Sequence, residues 1–398
     1  MKPVAPVREI AVLGATGSIG TSSLDVIARH PARYRVAALT ARHDVEGMAA
    51  LCRRFRPRLA AMADAECALA LERRLGDPAG TEVVAGTAGL RAVASEATID
   101  TVIAGIVGAA GLAPCLAAVQ AGKRVLVANK EALVVAGDLL MGAARDSGAL
   151  ILPIDSEHNG IFQCLPREAA GLDEAGVERL ILTASGGPFR DRDPASMATV
   201  SVAEACAHPT WSMGRKISVD SATMMNKGLE LIEACRFFAV PAERVEVLVH
   251  PQSLVHALVQ YRDGSTLAQM GNPDMRTPIA NALAWPERVS AGVDALDLLR
   301  AGRLDFSAPD DARFPCLGLA RAALADGPGA TAALNGANEI AVAGFLAGRL
   351  RFDRIAAVIE ETLDGVDADP DNRLEALIEH EQRARQRASA ALEHWSDR

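Results

Sequence analysis

Basic residues never cluster in this sequence. The 41 Lys and Arg are scattered among 50 Asp and Glu over 398 residues, and the formal net charge is −9. That balance argues against a nucleic-acid partner. It leaves a phosphate ligand open, because such a site needs only a few local donors. Cysteine patterning is missing as well: the seven cysteines (52, 67, 115, 164, 206, 235 and 316) contain no CxxC spacing and are odd in number. Neither a zinc nor a disulfide framework is expected, and the thiols read as reduced ones in a cytoplasmic protein. No apolar stretch reads as a membrane span. The one long uncharged run, Thr101 to Gly122, is broken by Gly105, Gly108, Gly111 and Pro114 into strand, loop and helix. A first strand by about Glu9 leaves no room for a signal peptide. Internal repeats and low-complexity segments are absent. What remains, 50% hydrophobic and 23% charged, is globular and long enough for two or three domains.

The chain opens with a short apolar segment, Glu9 to Leu13. GATGSIG follows (Gly14 to Gly20), then a helical pattern through Leu24, Val26 and Ile27. Strand, glycine-rich turn and helix in that order form the setting of a dinucleotide fingerprint. Glycines let the backbone approach a pyrophosphate, and the helix N-terminus supplies N–H groups and a positive dipole end. A second strand, Arg35 to Thr40, ends in Ala41-Arg42-His43 with an acid only at Asp44. A basic end suits a 2′-phosphate, so NADP is expected over NAD, with Arg42 and His43 as contacts. Further strands are expected at Leu59–Met62, Glu82–Val84, Thr101–Gly105, Arg124–Ala128 and Leu150–Ile154, with helices between. That alternation predicts a Rossmann-like, doubly wound parallel sheet with ligands at the strands' carboxyl ends. Asn129-Lys130-Glu131 follows one such end and Asp155-Ser156-Glu157-His158-Asn159 the next.

Read as an extended loop, the latter projects Asp155 and Glu157 to one side and Ser156 to the other. Two carboxylates so placed repel unless a proton, a cation or a metal sits between them, and hard oxygen donors select Mg²⁺ or Mn²⁺ over zinc. The third carboxylate is Glu230 or, one turn on, Glu233. His158 reads as a structural hydrogen-bonder. Glu230 lies in the stretch His208 to Glu233, where Asn226, Lys227 and Glu230 share one face of a helix beginning near Met224. Met225, Leu229 and Ile232 anchor its other face. Ser218, Ser221 and Thr223 precede the helix as caps and anion donors. His208, Trp211 and Met213 ride in a loop with Pro209 and Gly214. The set describes a lidded site for a phosphorylated substrate; the competing reading is a capped amphipathic helix with a solvated polar face.

Beyond the βα alternation, Ile181 to Ala184 is a strand running into Ser185-Gly186-Gly187, where backbone and hydroxyl donors meet at Ser185. Val245–Val249, Ser253–Tyr261 and Ser265–Met270 predict a small antiparallel sheet able to pair across a two-fold axis, with His250 and His256 structural. Four helices close the chain, at Cys316–Asp326, Ala330–Ala347, Phe352–Leu363 and Leu374–Trp395. LNGANE, Leu334 to Glu339, is polar for a bundle helix and is expected to face the site. The fold class is therefore α/β plus α+β plus all-α. Residues 1–154 form a cofactor domain, 155–285 a catalytic and dimerisation domain, 286–311 a linker and 312–398 a helical bundle.

GATGSIG, ANKEALV, DSEHN, LTASGGPF, HPTWSMGRKISVDSATMMNKGLELIEA, HPQS, DMRTPIA and LNGANE occur in this order, from Glu9 to about Arg387. Together they resemble the 1-deoxy-D-xylulose 5-phosphate reductoisomerase family. The resemblance implies a homodimer using NADPH and Mg²⁺, Mn²⁺ or Co²⁺. It implies conversion of 1-deoxy-D-xylulose 5-phosphate to 2-C-methyl-D-erythritol 4-phosphate, by rearrangement and then hydride transfer. By motif position it implies Asp155, Glu157 and Glu230 as metal ligands. Ser156, Ser185, His208, Trp211, Ser221, Asn226 and Lys227 become substrate contacts, the phosphate lying among Ser185, Ser221, Asn226 and Lys227. Thr16, Gly17, Ser18, Ile19, Asn129, Glu131 and Gly214 hold the cofactor, with Lys130 near the reacting atoms. Two departures stand out. Ala41-Arg42-His43-Asp44 replaces the family's Ala-Gly, basic residue and Asn, which bears on the NADPH contacts, and Gly160 replaces a larger small residue.

Overall fold

The computed structural model describes residues 6–76, 80–167, 171–211, 213–366 and 372–396. The chain divides into two compact units: Met1–Ala132 with Leu140–Asn159 and Asp274–Asp294, and Leu133–Leu139 with Gly160–Pro273 and Ala295–Arg398.

The first unit alternates strands and helices. In order they are β1 (Arg8–Leu13), α1 (Ser18–Arg29), β2 (Tyr34–Ala41), α2 (Val45–Phe55), β3 (Leu59–Met62), α3 (Ala65–Leu75), β4 (Glu82–Ala85), α4 (Gly86–Ser95), β5 (Thr101–Ala104), α5 (Leu112–Gln120), β6 (Arg124–Val127), α6 (Lys130–Ser147), β7 (Leu150–Pro153) and the start of α7 (Ser156–Cys164). The seven strands run parallel in the order β4-β3-β2-β1-β5-β6-β7. Strand order reverses beside β1, so the crevice between the ends of β1 and β5 is the switch point where such sheets bind ligands. Central strands are covered on both faces, which is why Ile10, Val12, Leu39, Ile103 and Leu126 are fully buried and why these segments read as unbroken apolar runs. Each contributes about 1.5–3 kcal/mol by leaving water. α1 follows the same logic: Leu24 and Ile27 face the sheet, and the helix stops at His30, before Pro31.

The second unit holds β8 (Val177–Ala184), α8 (Val202–Cys206), α9 (Arg215–Ala222), α10 (Met225–Phe237), β9 (Val245–Val249), β10 (Val255–Tyr261) and β11 (Thr266–Met270). After α11 (Arg276–Ala284), which belongs to the first unit, come α12 (Leu298–Ala301), α13 (Cys316–Asp326), α14 (Pro328–Leu346), α15 (Ile355–Leu363) and α16 (Leu374–Trp395). Its sheet has the order β11-β10-β8-β9 and is mixed, correcting the all-antiparallel expectation: β8 pairs with β9 in parallel. The connection from β8 to β9 carries three helices and returns the chain to its starting end, whereas a hairpin would have reversed it. One hydrophobic core joins this sheet to α10, α13, α14, α15 and α16, with Leu182, Leu229, Ile232, Leu317, Leu334 and Ile359 all buried in it.

The seven cysteines are unpaired, and Cys52, Cys115, Cys235 and Cys316 are buried. Among the described residues no helix is long and apolar enough to cross a membrane.

Candidate functional site

In the first unit the glycine turn between β1 and α1 is shaped by close approach. Gly14 has φ +77°, and a Cβ there would lie 2.8 Å from the Gly105 carbonyl oxygen. At Gly20 it would lie 2.4 Å from the oxygen of Gly14, so only glycine lets α1 pack down on the turn. Thr40 fixes the turn from β2: its hydroxyl accepts from the Gly14 N–H at 3.0 Å and its carbonyl from the Ala15 N–H at 2.7 Å. Gly17 is the N-cap of α1 and no side chain caps that helix. Ser18 and Ile19 therefore present first-turn N–H groups and a positive dipole end, while Thr16 and Gly17 form the turn before them, the Gly17 N–H donating to the Gly14 carbonyl at 3.0 Å; together they make a cradle suited to a pyrophosphate.

At the end of β2, Arg42, His43 and Asp44 are all exposed. Asp44 is the N-cap of α2, its carboxylate accepting from the Gly47 N–H at 2.8 Å. The acid that replaces the family's Asn thus has a local task, and the two potential cations stand beside it.

Asn129, Lys130 and Glu131 sit where β6 runs into α6, and all three are buried. The Asn129 amide donates to the Gly108 carbonyl at 3.1 Å, pinning the loop after β5. Lys130 Nζ lies 2.8 Å from an Asp155 carboxylate oxygen. Burial would raise the Asp155 carboxyl, but the charges of Lys130 and His158 and the hydrogen bond from Lys130 hold it far below the usual carboxylate range.

Here the extended-loop expectation is corrected. Ser156 and Glu157 open α7, and the Asp155 carbonyl accepts from the Asn159 N–H at 2.8 Å. Ser156 does not face away; its hydroxyl donates to the Glu157 carboxylate at 2.5 Å. A helical first turn rotates successive side chains by about 100°, so neighbours can meet where a strand would separate them. Asn159 locks this turn, donating to Pro153 O at 2.9 Å and to Asn281 of α11 at 3.2 Å. His158 is fully buried.

In the second unit the turn after β8 and the loop before α9 converge. Ser185 Oγ accepts from the Gly187 N–H at 3.1 Å and lies 2.9 Å from His208 Nε2. His208 Nδ1 accepts from the Thr210 and Trp211 N–H groups, at 3.2 and 2.9 Å. With Nδ1 an acceptor, the proton of the neutral ring sits on Nε2 and donates to Ser185. Burial pushes the His208 pKa down, in keeping with that neutral form. Gly187 (φ +68°) abuts the end of α9, where a Cβ would come 2.8 Å from the Ser221 carbonyl oxygen. The end of α9 that carries Ser221 thereby lies against the turn that carries Ser185. Trp211 packs its ring 6.1 Å from that of His256, and Gly214 is the N-cap of α9. Ser212 lies outside the described residues.

Ser218 and Ser221 are not caps of α10, a second correction. Both are helical residues of α9, and Ser218 Oγ bonds back to the Gly214 carbonyl at 3.0 Å. Met224, in the left-handed region at φ 62°, separates α9 from α10 and serves as the N-cap. The polar face of α10 is not solvated: Lys227, Glu230 and Glu233 are 3%, 1% and 1% exposed. Asn226 Nδ2 donates to one Glu230 oxygen at 2.5 Å and Lys227 Nζ bonds the other.

His250 is structural, its Nδ1 donating to Asp305 O at 2.8 Å and its Nε2 accepting from the Leu254 N–H at 3.2 Å. His256, read as structural, is likewise buried and hydrogen-bonded to backbone at Gly271 and Asn272, with its ring 6.1 Å from that of Trp211. LNGANE proves to be wired to α9: Asn338 donates to Asp220 at 2.8 Å. Asp220 was missed altogether, although its spacing of four from Lys216 was a readable signal.

Three family models match the chain. One described as 1-deoxy-D-xylulose 5-phosphate reductoisomerase matches residues 10–137, and two C-terminal-domain models of the same enzyme match residues 151–238 and 270–387. A Stutzerimonas stutzeri protein named 1-deoxy-D-xylulose 5-phosphate reductoisomerase is 59% identical over 95% of this chain and 96% of its own. One of the same name from Pseudomonas fluorescens is 57% identical over 98% of each. A crystal structure of a DOX-P reductoisomerase with NADPH, fosmidomycin and magnesium superposes with a TM-score of 0.94, at 48% identity over 97% of this chain and 98% of that one. The Zymomonas mobilis enzyme in complex with NADPH gives 0.91, at 46% identity over 98% and 100%.

Proposed function

This chain belongs to the 1-deoxy-D-xylulose 5-phosphate reductoisomerase family, and from that premise we propose how its own residues divide the reaction. It is an NADPH-dependent oxidoreductase that, with a divalent metal, isomerises and reduces 1-deoxy-D-xylulose 5-phosphate to 2-C-methyl-D-erythritol 4-phosphate, on the route to isoprenoid precursors. When bound, the metal supplies Lewis-acid polarisation of substrate oxygens and NADPH supplies the hydride.

Asp155, Glu157 and Glu230 would hold the metal. All are oxygen donors of the kind Mg²⁺ and Mn²⁺ prefer. Asp155 and Glu230 are each bonded to a lysine, Lys130 and Lys227 respectively, a charge arrangement that a divalent cation can enter. Thr16, Gly17, Ser18 and Ile19 would cradle the cofactor's pyrophosphate, and Arg42 and His43 would meet its 2′-phosphate. Asn129, Lys130, Glu131 and Gly214 would border its reactive end.

Ser185, Ser221, Asn226 and Lys227 would grip the substrate phosphate, remote from the reacting carbons, so that this contact orients them. His208, whose Nε2–H lies on the Ser185 hydroxyl, would donate to the substrate through that proton. Ser156 orients Glu157, and Trp211 excludes water from the reacting carbons when its loop closes. Lys130, already on Asp155, places a proton donor beside a ligand carboxylate.

Two coarser readings complete the proposal. A homodimer is supported by β11, an edge strand whose Leu267 is 49% exposed. A cytoplasmic location is supported by seven unpaired cysteines.

The observation carrying the site assignment is that each unit holds a carboxylate against a lysine on a motif the family shares: Asp155, partly buried, on Lys130 in the first, and Glu230, buried, on Lys227 in the second. Loss of NADPH absorbance with 1-deoxy-D-xylulose 5-phosphate, present with Mg²⁺ or Mn²⁺ and absent after chelation, tests it. Turnover unaffected by chelation contradicts the metal assignment.

A further inference from the structure

Asp220 is 1% exposed yet carries a carboxylate on α9. One oxygen accepts from Asn338 Nδ2 of α14 at 2.8 Å, and the other lies 2.9 Å from Lys216 Nζ, one turn back on its own helix. Burial raises the Cys316 thiol of α13, and the nearby Asp220 charge adds to that rise. A buried ion pair of this kind is a poor source of stability, because desolvation cancels most of its attraction. It is a good source of position, because it is satisfied in only one arrangement. Asn338 itself belongs to a polar row on α14: Asn335, one turn earlier, donates to Glu381 of α16 at 2.7 Å.

What Asp220 positions is clear from its neighbours in sequence. Ser221 follows it directly, with its backbone against the Gly187 turn that carries Ser185. Lys216 lies two residues after Gly214, where the loop bearing His208 and Trp211 enters α9. Asp220 therefore holds the end of that loop through Lys216, and holds the helix carrying Ser221 through Asn338.

We propose that Asp220, clamped between Lys216 and Asn338, is a positioning residue that sets Ser221 and the loop hinge for the phosphate end of the substrate. The proposal rests on the phosphate reading given above. Asp220, Lys216 and Asn338 are not among the residues assigned above to the cofactor or the metal, and Ser221 is assigned to the phosphate alone, so the effect on the substrate can be told from effects on either.

The test uses the full chain with NADPH and Mg²⁺, comparing Lys216→Met, Lys216→Arg and Asp220→Asn with the unaltered protein. The readouts are KM for the phosphorylated substrate, KM for NADPH, kcat, melting temperature, and competition by inorganic phosphate. Lys216→Met and Asp220→Asn are expected to raise substrate KM and weaken phosphate competition about tenfold, the scale of coupling between directly contacting groups. KM for NADPH, which feels the change only through Gly214, moves less than substrate KM, and Lys216→Arg restores most of the loss. Combining the two disruptive changes does no more than either alone. Unchanged substrate KM and phosphate competition in a folded Lys216→Met protein, whatever its melting temperature, overturns the proposal. Lys216 is partly exposed, so this variant decides the matter even if Asp220→Asn does not fold. Failure of inorganic phosphate to compete in the unaltered protein overturns the phosphate reading itself, and the proposal with it.

Discussion

The ammonium of Lys227 and the carboxylate of Glu230 bond one another on successive turns of α10, both almost wholly buried. The proposed roles assign one to a phosphate and the other to a metal. Each ligand thus competes with a contact already made, and the two residues change partners together.

Glu230→Gln keeps the shape and the Asn226 contact but removes the charge. Turnover is expected to fall at least about a hundredfold, the upper end of what even outer-shell partners of a metal cost. NADPH binding, followed by its fluorescence, stays intact. Near-normal metal-dependent turnover would take Glu230 out of the site.

Trp211 is only partly buried, against His256. Trp211→Ala is expected to raise substrate KM about tenfold or more, through lost contact and an open loop, and to change the melting temperature little. A large thermal destabilisation with unchanged KM would make Trp211 a core residue instead.

Asp44 tests the departure at the end of β2. Asp44→Ala removes the cap of α2 and is expected to lower stability by about 1 kcal/mol. Asp44→Asn keeps the cap and removes a negative charge beside Arg42 and His43. It should therefore sharpen preference for NADPH over NADH by a few fold. Identical cofactor ratios in Asp44→Asn and the parent would show that the acid is electrostatically silent there.

Acid should act on the second unit through His256. Burial, ahead of the opposing hydrogen bonds at Gly271 and Asn272, and with the charges of Lys227 and His250, pushes its pKa to about 4 from an ordinary 6.5. The unfolded chain then binds more protons over that interval. Stability is full above about pH 6.5 and falls as pH drops toward 4, by up to about 3 kcal/mol. His208 is lowered in the same direction. Urea unfolding midpoints across this range measure the loss, and an equal fall in His256→Asn would assign it elsewhere.

The parallel sheet was legible because buried strands are short apolar runs punctuated by glycine, and every such run became a strand. α10 was legible from Met225, Leu229 and Ile232. Asp155 to Asn159 was not, since a helix that starts with four polar residues directly after a strand offers no apolar period. Nor was the place of β8 between β9 and β10. Those two are close in sequence, and the segment that parts them lies more than fifty residues upstream, beyond any local pattern. The burial of Lys227, Glu230 and Asp220 escaped for the same reason: charge predicts solvent unless the partners, Asn338 among them, are known.

Between α9 and α10 lie Thr223, still in the helical region, and Met224, which holds a left-handed backbone that residues other than glycine seldom adopt. Two dihedral angles there set how Ser221 on one helix meets Asn226 and Lys227 on the next. On the phosphate assignment proposed above, the fold has in effect a single adjusting screw for the width of that grip, turned tight by Met224's burial. Drift in the size of the accepted headgroup would then be reached by repacking around Met224, with every residue that touches the anion left as it is.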